Sequence, residues 1–205
     1  MMTLVTNREA LSRPPVAMAV FLLVTGIGGL YGAFRLVVDE YQLLEHPKQA
    51  LGCDVNPFIS CSNVMASHQA HLFGFPNPIL GVAGFVAPIA VGVVLLAGFR
   101  GTKWFWTLFN SGLFLAWVFV TWLFTQTVWF IGYLCPWCML VWAMVIPMFW
   151  LFTIWNLAKG NLPFGTGGRR IGRALLPFCW AFPLANYLFI AVVILVEFPT
   201  VLTTL

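Results

Sequence analysis

The sequence predicts an all-α integral membrane protein, and three observations carry that prediction. Of its 205 residues, 61% are hydrophobic and only 8% are charged, with a mean hydropathy of +0.93, far outside the range of soluble domains. The apolar residues gather into about five runs, each close to the roughly 20 residues a helix needs to cross the hydrocarbon. The charges fall between the runs and sort by side, as the loops of a multi-pass protein do. One compact membrane domain spanning residues 1–205 accounts for the whole length.

The first span covers about 16–38. Arg8 and Arg13 precede it as they would a secretory signal, but the run is longer than a signal core and no Ala-x-Ala site follows, so it is a retained anchor. A polar outer connection occupies about 39–77. The remaining spans are about 78–99, 104–125, 133–157 and 174–196. Pro88, Pro147 and Pro183 fall inside spans, where neighbouring helices can satisfy the freed carbonyls, so they predict kinks rather than ends. Gly26, Gly28 and Gly29 predict close packing of the first span.

Arg8, Arg13, Arg100, Lys103, Lys159, Arg169, Arg170 and Arg173 all fall in alternate connections, eight of the ten basic residues. The positive-inside rule therefore puts the N-terminus in the cytoplasm and the C-terminus outside. Arg35 and Lys48 are left on the outer side with five of the six acids. Two cysteine pairs, Cys53 with Cys61 and Cys135 with Cys138, then face the oxidising compartment, where thiol–disulfide chemistry operates.

Asn56-Pro57 interrupts the outer connection, which places Cys53 on a loop and Cys61 in a short helix over about 58–68. A pair split between a loop and a helix can open; a static staple is the plainer alternative. In Cys135-Pro136-Trp137-Cys138 the proline sits where a first helical turn accepts it. Cys135 then stands at the helix N-terminus, where unpaired backbone donors and the dipole stabilise a thiolate. Cys138 lies one turn deeper toward lipid. A Cys-x-x-Cys can also be half of a zinc site, with His68 and His71 as the further ligands.

These residues resemble the vitamin K epoxide reductase family, in particular its bacterial disulfide-forming members. The resemblance covers about 29–150 and rests on three segments: Cys53-Asp54-x5-Ser60-Cys61-Ser62, Phe73-Gly74-Phe75-Pro76-Asn77-Pro78-Ile79-Leu80-Gly81, and Tyr133-Leu134-Cys135-Pro136-Trp137-Cys138. It implies a four-transmembrane-helix bundle around a quinone pocket, capped by the outer loop and a short interfacial helix, with a fifth transmembrane helix added here. Carried over by motif, Cys53 exchanges with an outside partner, Cys61 passes electrons to Cys135, and Cys138 lies against a quinone of the menaquinone, ubiquinone or vitamin K type. Asn77 matches the asparagine that hydrogen-bonds a quinone carbonyl, although its place before Pro78 also suits a helix N-cap. Trp142 stands where the animal enzymes carry a quinone-bonding tyrosine, and an indole donates with a different reach. Phe75 and Trp137 complete the implied quinone contacts; no metal is implied.

The resemblance further implies a thiol oxidase and quinone reductase in the bacterial cell membrane. It reoxidises a secreted thioredoxin-like (DsbA-like) protein and so drives disulfide formation in exported proteins. Many relatives carry a thioredoxin-like domain after the fifth helix; this sequence stops at Leu205, so the partner is expected to be separate. The alternatives are an epoxide reductase proper, a metal-handling membrane protein, and a scaffold with structural disulfides. Against metal transport, no acidic residue, histidine or lysine lies near mid-membrane to mark an ion path. Cys179 reads as a packed apolar residue, and Asp54 as an acid that orients the loop or shapes recognition of the partner, or as a solvated one. Trp104, Trp106, Trp129 and Trp137 read as interface anchors, and His68 and His71 as surface residues of the cap. No phosphate loop, nucleotide fingerprint or nucleic-acid patch occurs.

Overall fold

A computed structural model describes residues 16–47, 50–55 and 58–199. Arg8, Arg13, Lys48, Asn56, Pro57 and Leu205, which bear on the sequence reading, lie outside the described residues. Helix α1 runs Val16–Glu45, α2 Cys61–Met65, α3 Asn77–Leu96, α4 Lys103–Gln126, α5 Pro136–Lys159, α6 Gly165–Leu175 and α7 Ala181–Glu197. Tighter or wider helical turns join them, 3-10 at His68–His71 and Leu176–Phe178 and π at Thr127–Ile131. Helices α1, α3, α4 with its π extension, and α5 are each long and apolar enough to cross a membrane; α6 and α7, bent by 63°, make a fifth candidate together. This is a multi-pass membrane protein built from helices.

Three boundaries differ from the sequence expectation, each for a local reason. The first span was expected to end at residue 38, but α1 continues about two turns to Glu45. No glycine or proline interrupts that stretch, and Arg35 pairs with Asp39 one turn on at 3.1 Å, a spacing that supports a helix. At 1.5 Å per residue a 30-residue helix is about 45 Å long, more than the roughly 30 Å of hydrocarbon. Its last turns therefore carry Asp39 and Glu40 up among the outer elements. The cap helix, expected over 58–68, is confined to Cys61–Met65, because the backbone from Phe58 to Ser60 bonds to Leu134 instead, with Ile59 in a bridge and Ser60 extended. The fifth span was expected over 174–196 as one helix; α7 begins only at Ala181. Pro183 consequently occupies its first turn, where no intrahelical bond is lost, instead of kinking a span. Pro88 and Pro147 do lie within α3 and α5.

Packing follows the small residues. An added Cβ on Gly29 would stand 2.1 Å from the Phe85 ring and one on Gly26 2.8 Å from Ile89, so α1 and α3 touch where side chains are missing. Aromatic rings fill the space between α4 and α5, with Phe109 on Phe152 at 4.9 Å and Trp117 stacked on Phe149 at 5.0 Å. Trp106 belongs to this core, buried and donating to the Gly101 carbonyl at 3.0 Å, and is not the interface anchor expected from its place near a span end. Trp104 and Trp129 are exposed as anchors should be. Helix α7 packs outside the four-helix group, where the Tyr187 hydroxyl donates to the Ala143 carbonyl of α5 at 2.6 Å. Arg169, Arg170 and Arg173 ride on α6, and Cys179 is a half-buried thiol at the bend before α7.

Candidate redox site

A single backbone pairing aligns the two cysteine motifs. Ile59 and Leu134 form an isolated parallel bridge, with Ser60 N–H donating to the Leu134 carbonyl at 2.9 Å and Leu134 N–H to the Phe58 carbonyl at 2.8 Å. The next residue on one strand of the pairing is Cys135 and, just past Ser60 on the other, Cys61. Their sulfurs are 3.6 Å apart, both fully buried. Cys61 is disulfide-bonded to Cys53, whereas Cys135 and Cys138 are free thiols.

Asp54 organises the outer pair. Its carboxylate accepts from Leu51 N–H at 2.9 Å, from the Ser60 hydroxyl at 2.9 Å and from Ser62 N–H at 3.1 Å, and also from the Ser62 hydroxyl. Partial burial by itself raises the Asp54 carboxyl, but the donors from Ser62, Leu51 and Ser60 outweigh it and hold the group below the ordinary carboxylate value. Ser60 in turn caps α2 by accepting from Asn63 N–H at 3.3 Å. Of the readings open to Asp54 in the sequence, orienting the loop is the one its contacts perform.

The inner pair has different surroundings. Cys135 is the N-cap of α5, Pro136 its first residue, and Cys138 N–H donates to Cys135 Sγ at 3.4 Å. This places the sulfur at the positive end of the helix dipole, the setting that favours thiolate. Cys138, one turn along, joins the wall of a cavity of about 890 Å³. Helices α1, α3, α4 and α5, the cap and the π turn all line it; no residue of α6 or α7 does. The wall is almost wholly apolar, which suits a flat hydrophobic ligand of ring size.

The profile of the vitamin K epoxide reductase family matches residues 20–153, the stretch that holds both cysteine pairs and nearly all of α1 to α5. The chain belongs to the vitamin K epoxide reductase family. No curated protein matches it. Members of the family are membrane oxidoreductases that use quinones, and this chain brings its cysteines together as redox chemistry requires.

Against the family expectation, the cavity gathers three of the five residues expected near a quinone. Cys138, Asn77 and the buried Trp142 line it, while Phe75 and Trp137 do not. Phe75 is a partly exposed ring stacked on Phe73 at 6.2 Å. Trp137 turns to the outer cluster, edge-on to Tyr31 at 5.7 Å with the Arg35 guanidinium 5.5 Å over its ring. Asn77 is the first residue of α3 and makes no N-cap bond. Its amide instead braces the cap, donating to the Gln69 carbonyl at 2.7 Å and accepting from Leu72 N–H at 3.3 Å. That leaves one amide hydrogen free for a ligand.

Two acids on the unforeseen extension of α1 complete the picture. Asp39, buried, lies 3.6 Å from Cys53 Sγ and is paired with Arg35. Glu40, also buried, lines the cavity and meets His71 Nε2 at 3.1 Å, so His71 is not merely a surface residue of the cap. No apolar periodicity points to either acid: both fall where the sequence turns polar, and only the structure shows the helix carrying on past them. Among the described residues, the group of metal-type ligand atoms is Asp39, Cys53 and Cys61, and its two sulfurs are already joined in the disulfide. It includes neither histidine of the zinc alternative.

Proposed function

We propose that this protein oxidises the thiols of an extracytoplasmic thioredoxin-like partner and passes the electrons to a membrane quinone, driving disulfide formation in exported proteins. One observation carries the reading: a disulfide cysteine, Cys61, lies 3.6 Å from the first cysteine of a Cys-x-x-Cys whose second cysteine lines an apolar cavity. On this reading a partner dithiol reduces the Cys53–Cys61 disulfide through attack at Cys53. The Cys61 thiolate then attacks Cys135 of an oxidised Cys135–Cys138 pair, forming a Cys61–Cys135 bond and releasing the Cys138 thiolate. Attack by Cys53 on Cys61 closes the outer disulfide again and frees Cys135. The state in the structure, with the outer pair oxidised and the inner pair reduced, corresponds to the end of that exchange.

The quinone is the electron-accepting substrate, and Cys138, Asn77 and Trp142 are the residues assigned to it. Cys138 supplies the contact for electron transfer, Asn77 a spare N–H for a carbonyl, and Trp142 an indole wall. On this reading the cysteine sites and the C-terminus lie outside the cytoplasm at the bacterial cell membrane, an orientation that the sorting of basic residues among the loops supports.

The test is quinone reduction by purified protein in detergent, with a reduced thioredoxin-like donor and with a small dithiol. Wild type should turn over with both. Cys138→Ala should be inactive with both, and Cys53→Ala should fail with the protein donor yet work with the small dithiol. A wild type that reduces no quinone at the expense of thiols would overturn the proposal, and metal binding by the reduced protein would then be measured.

A further inference from the structure

We infer that Glu40 and His71 form a proton inlet to the cavity, with Glu40 the acid that protonates the electron acceptor and His71 the group that reloads it from water. The inference rests on the thiol-to-quinone reading and adds to it the source of a proton.

Among the described residues, the wall of the cavity holds only two ionisable side chains, Cys138 and Glu40, and Glu40 is its one carboxyl group. It is 6% exposed, and its two oxygens are used unequally. Oε1 meets His71 Nε2 at 3.1 Å, while Oε2 is buried with no hydrogen-bond partner among the described residues. A buried carboxylate oxygen left unpaired is costly, and such groups call for an explanation in function. His71 is placed to connect the acid to solvent: its side chain is 38% exposed, and imidazole readily exchanges protons with water. Cavity wall, buried acid and part-exposed imidazole thus lie in sequence. The same imidazole's Nδ1 is 3.5 Å from the Ser67 carbonyl, which holds the ring at the cap.

Proton accounting gives the inlet a task. The Cys138 thiolate released in the exchange takes up the proton that Cys53 gives up on attacking Cys61, so Cys135 enters as thiolate and Cys138 as thiol; forming the Cys135–Cys138 bond then releases two electrons and one proton. Reducing a quinone to hydroquinone takes two electrons and two protons. The missing proton comes from the Glu40 carboxylic acid, which becomes carboxylate, and the His71 imidazolium then restores the acid and is itself recharged from water.

The experiment is a single turnover. Protein whose four relay cysteines have been reduced and freed of donor is mixed with a short-chain quinone, and hydroquinone is read by absorbance and cysteine oxidation by maleimide gel shift. Pre-reduced wild type should form one protein disulfide for each hydroquinone, made first at the inner pair and passed to the outer one. Glu40→Gln should slow that step by about 10²-fold, the usual scale of a lost general acid, and added formate should restore Glu40→Ala. His71→Ala, which changes a part-exposed side chain and so preserves folding, should be slowed and then rescued by imidazole. Wild-type rates in Glu40→Gln or His71→Ala, or slowed variants that small acids and imidazole fail to rescue, would overturn the inlet while leaving the electron route standing. Failure of pre-reduced wild type to reduce the quinone would instead overturn the thiol-to-quinone reading, and the inlet with it.

Discussion

The two cysteine pairs meet at one sulfur–sulfur contact but are held by opposite means. Around Cys53–Cys61 the scaffold is polar: one carboxylate, Asp54, accepts from two hydroxyls and two backbone N–H groups, and a second, Asp39, lies against Cys53. Around Cys135–Cys138 it is a helix terminus set into an apolar wall. The contrast suits a relay that joins two solvents. Hydrogen bonds fix the short loop over a small apolar cluster that includes Leu36, Leu51, Val64 and Met65, whereas a helix bundle already rigid by packing needs only to offer a sulfur at its end. The seam between them is the short Ile59–Leu134 pairing, which sets Cys61 beside Cys135.

The largest break in this comparison is at the seam itself. Cys135→Ser should abolish quinone reduction with every donor while leaving the Cys53–Cys61 disulfide able to form, because it removes the one sulfur common to both halves. Conversely, the Cys53→Ala, Cys138→Ala double variant, treated with a chemical thiol oxidant such as copper–phenanthroline, should form a Cys61–Cys135 disulfide, seen as a non-reducing gel shift, and keep it, since neither resolving thiol remains. Absence of that species would mean that the 3.6 Å approach is not used for exchange.

A smaller effect separates the halves by pH. The folded-state value of Asp54 lies below its ordinary one, so its stabilisation of the cap is fully present above the unfolded value of about 3.9 and is lost as pH falls through the lower folded value. Protection of reduced Cys53 from alkylation, taken relative to a free thiol at the same pH, should thus stay constant down to that window and then fall as the loop opens. Asp54→Asn keeps the shape but cannot accept from all four donors, and should open the loop by about 1–2 kcal/mol at neutral pH, with the acid transition gone. The cavity side should not respond: quinone reduction from a pre-reduced inner pair should keep its rate in Asp54→Asn.

Much of this division was legible in the sequence, and its illegible parts have one physical origin. Hydropathy located the spans because lipid imposes a length and a composition, and Cys135-Pro136 announced a helix start because proline and an N-cap sulfur both fit there. Asp39, Glu40 and His71 were not legible as a site. A hydropathy boundary marks where side chains turn polar, not where the backbone stops being helical, so the turns that carry Asp39 and Glu40 read as loop. The pairing of Phe58–Ser60 with Leu134 escaped for a related reason, since a two-residue bridge across more than 70 positions leaves no periodic trace. Trp137 was misplaced as a cavity contact by its neighbours in sequence: one residue before Cys138 on a helix is about 100° around, and that turn carries it from the cavity to Arg35 and Tyr31.

The finest test lies within the cavity wall. Trp142 is buried on α5 one turn beyond Cys138, edge-on to Phe124 at 5.6 Å, and it lines the same cavity. Trp142→Phe keeps an aromatic ring there and removes the indole N–H. If the indole serves only as apolar wall, the KM for quinone should change little and the maximal rate not at all. If its N–H donates to the acceptor, one hydrogen bond is lost, about 1 kcal/mol, and KM should rise up to roughly fivefold on that scale. In either case the rate at which a dithiol reduces Cys53–Cys61 should match wild type, because no contact of Trp142 reaches the polar loop. A fall in that exchange rate would show that the halves are coupled through α5 and not through the sulfur contact alone.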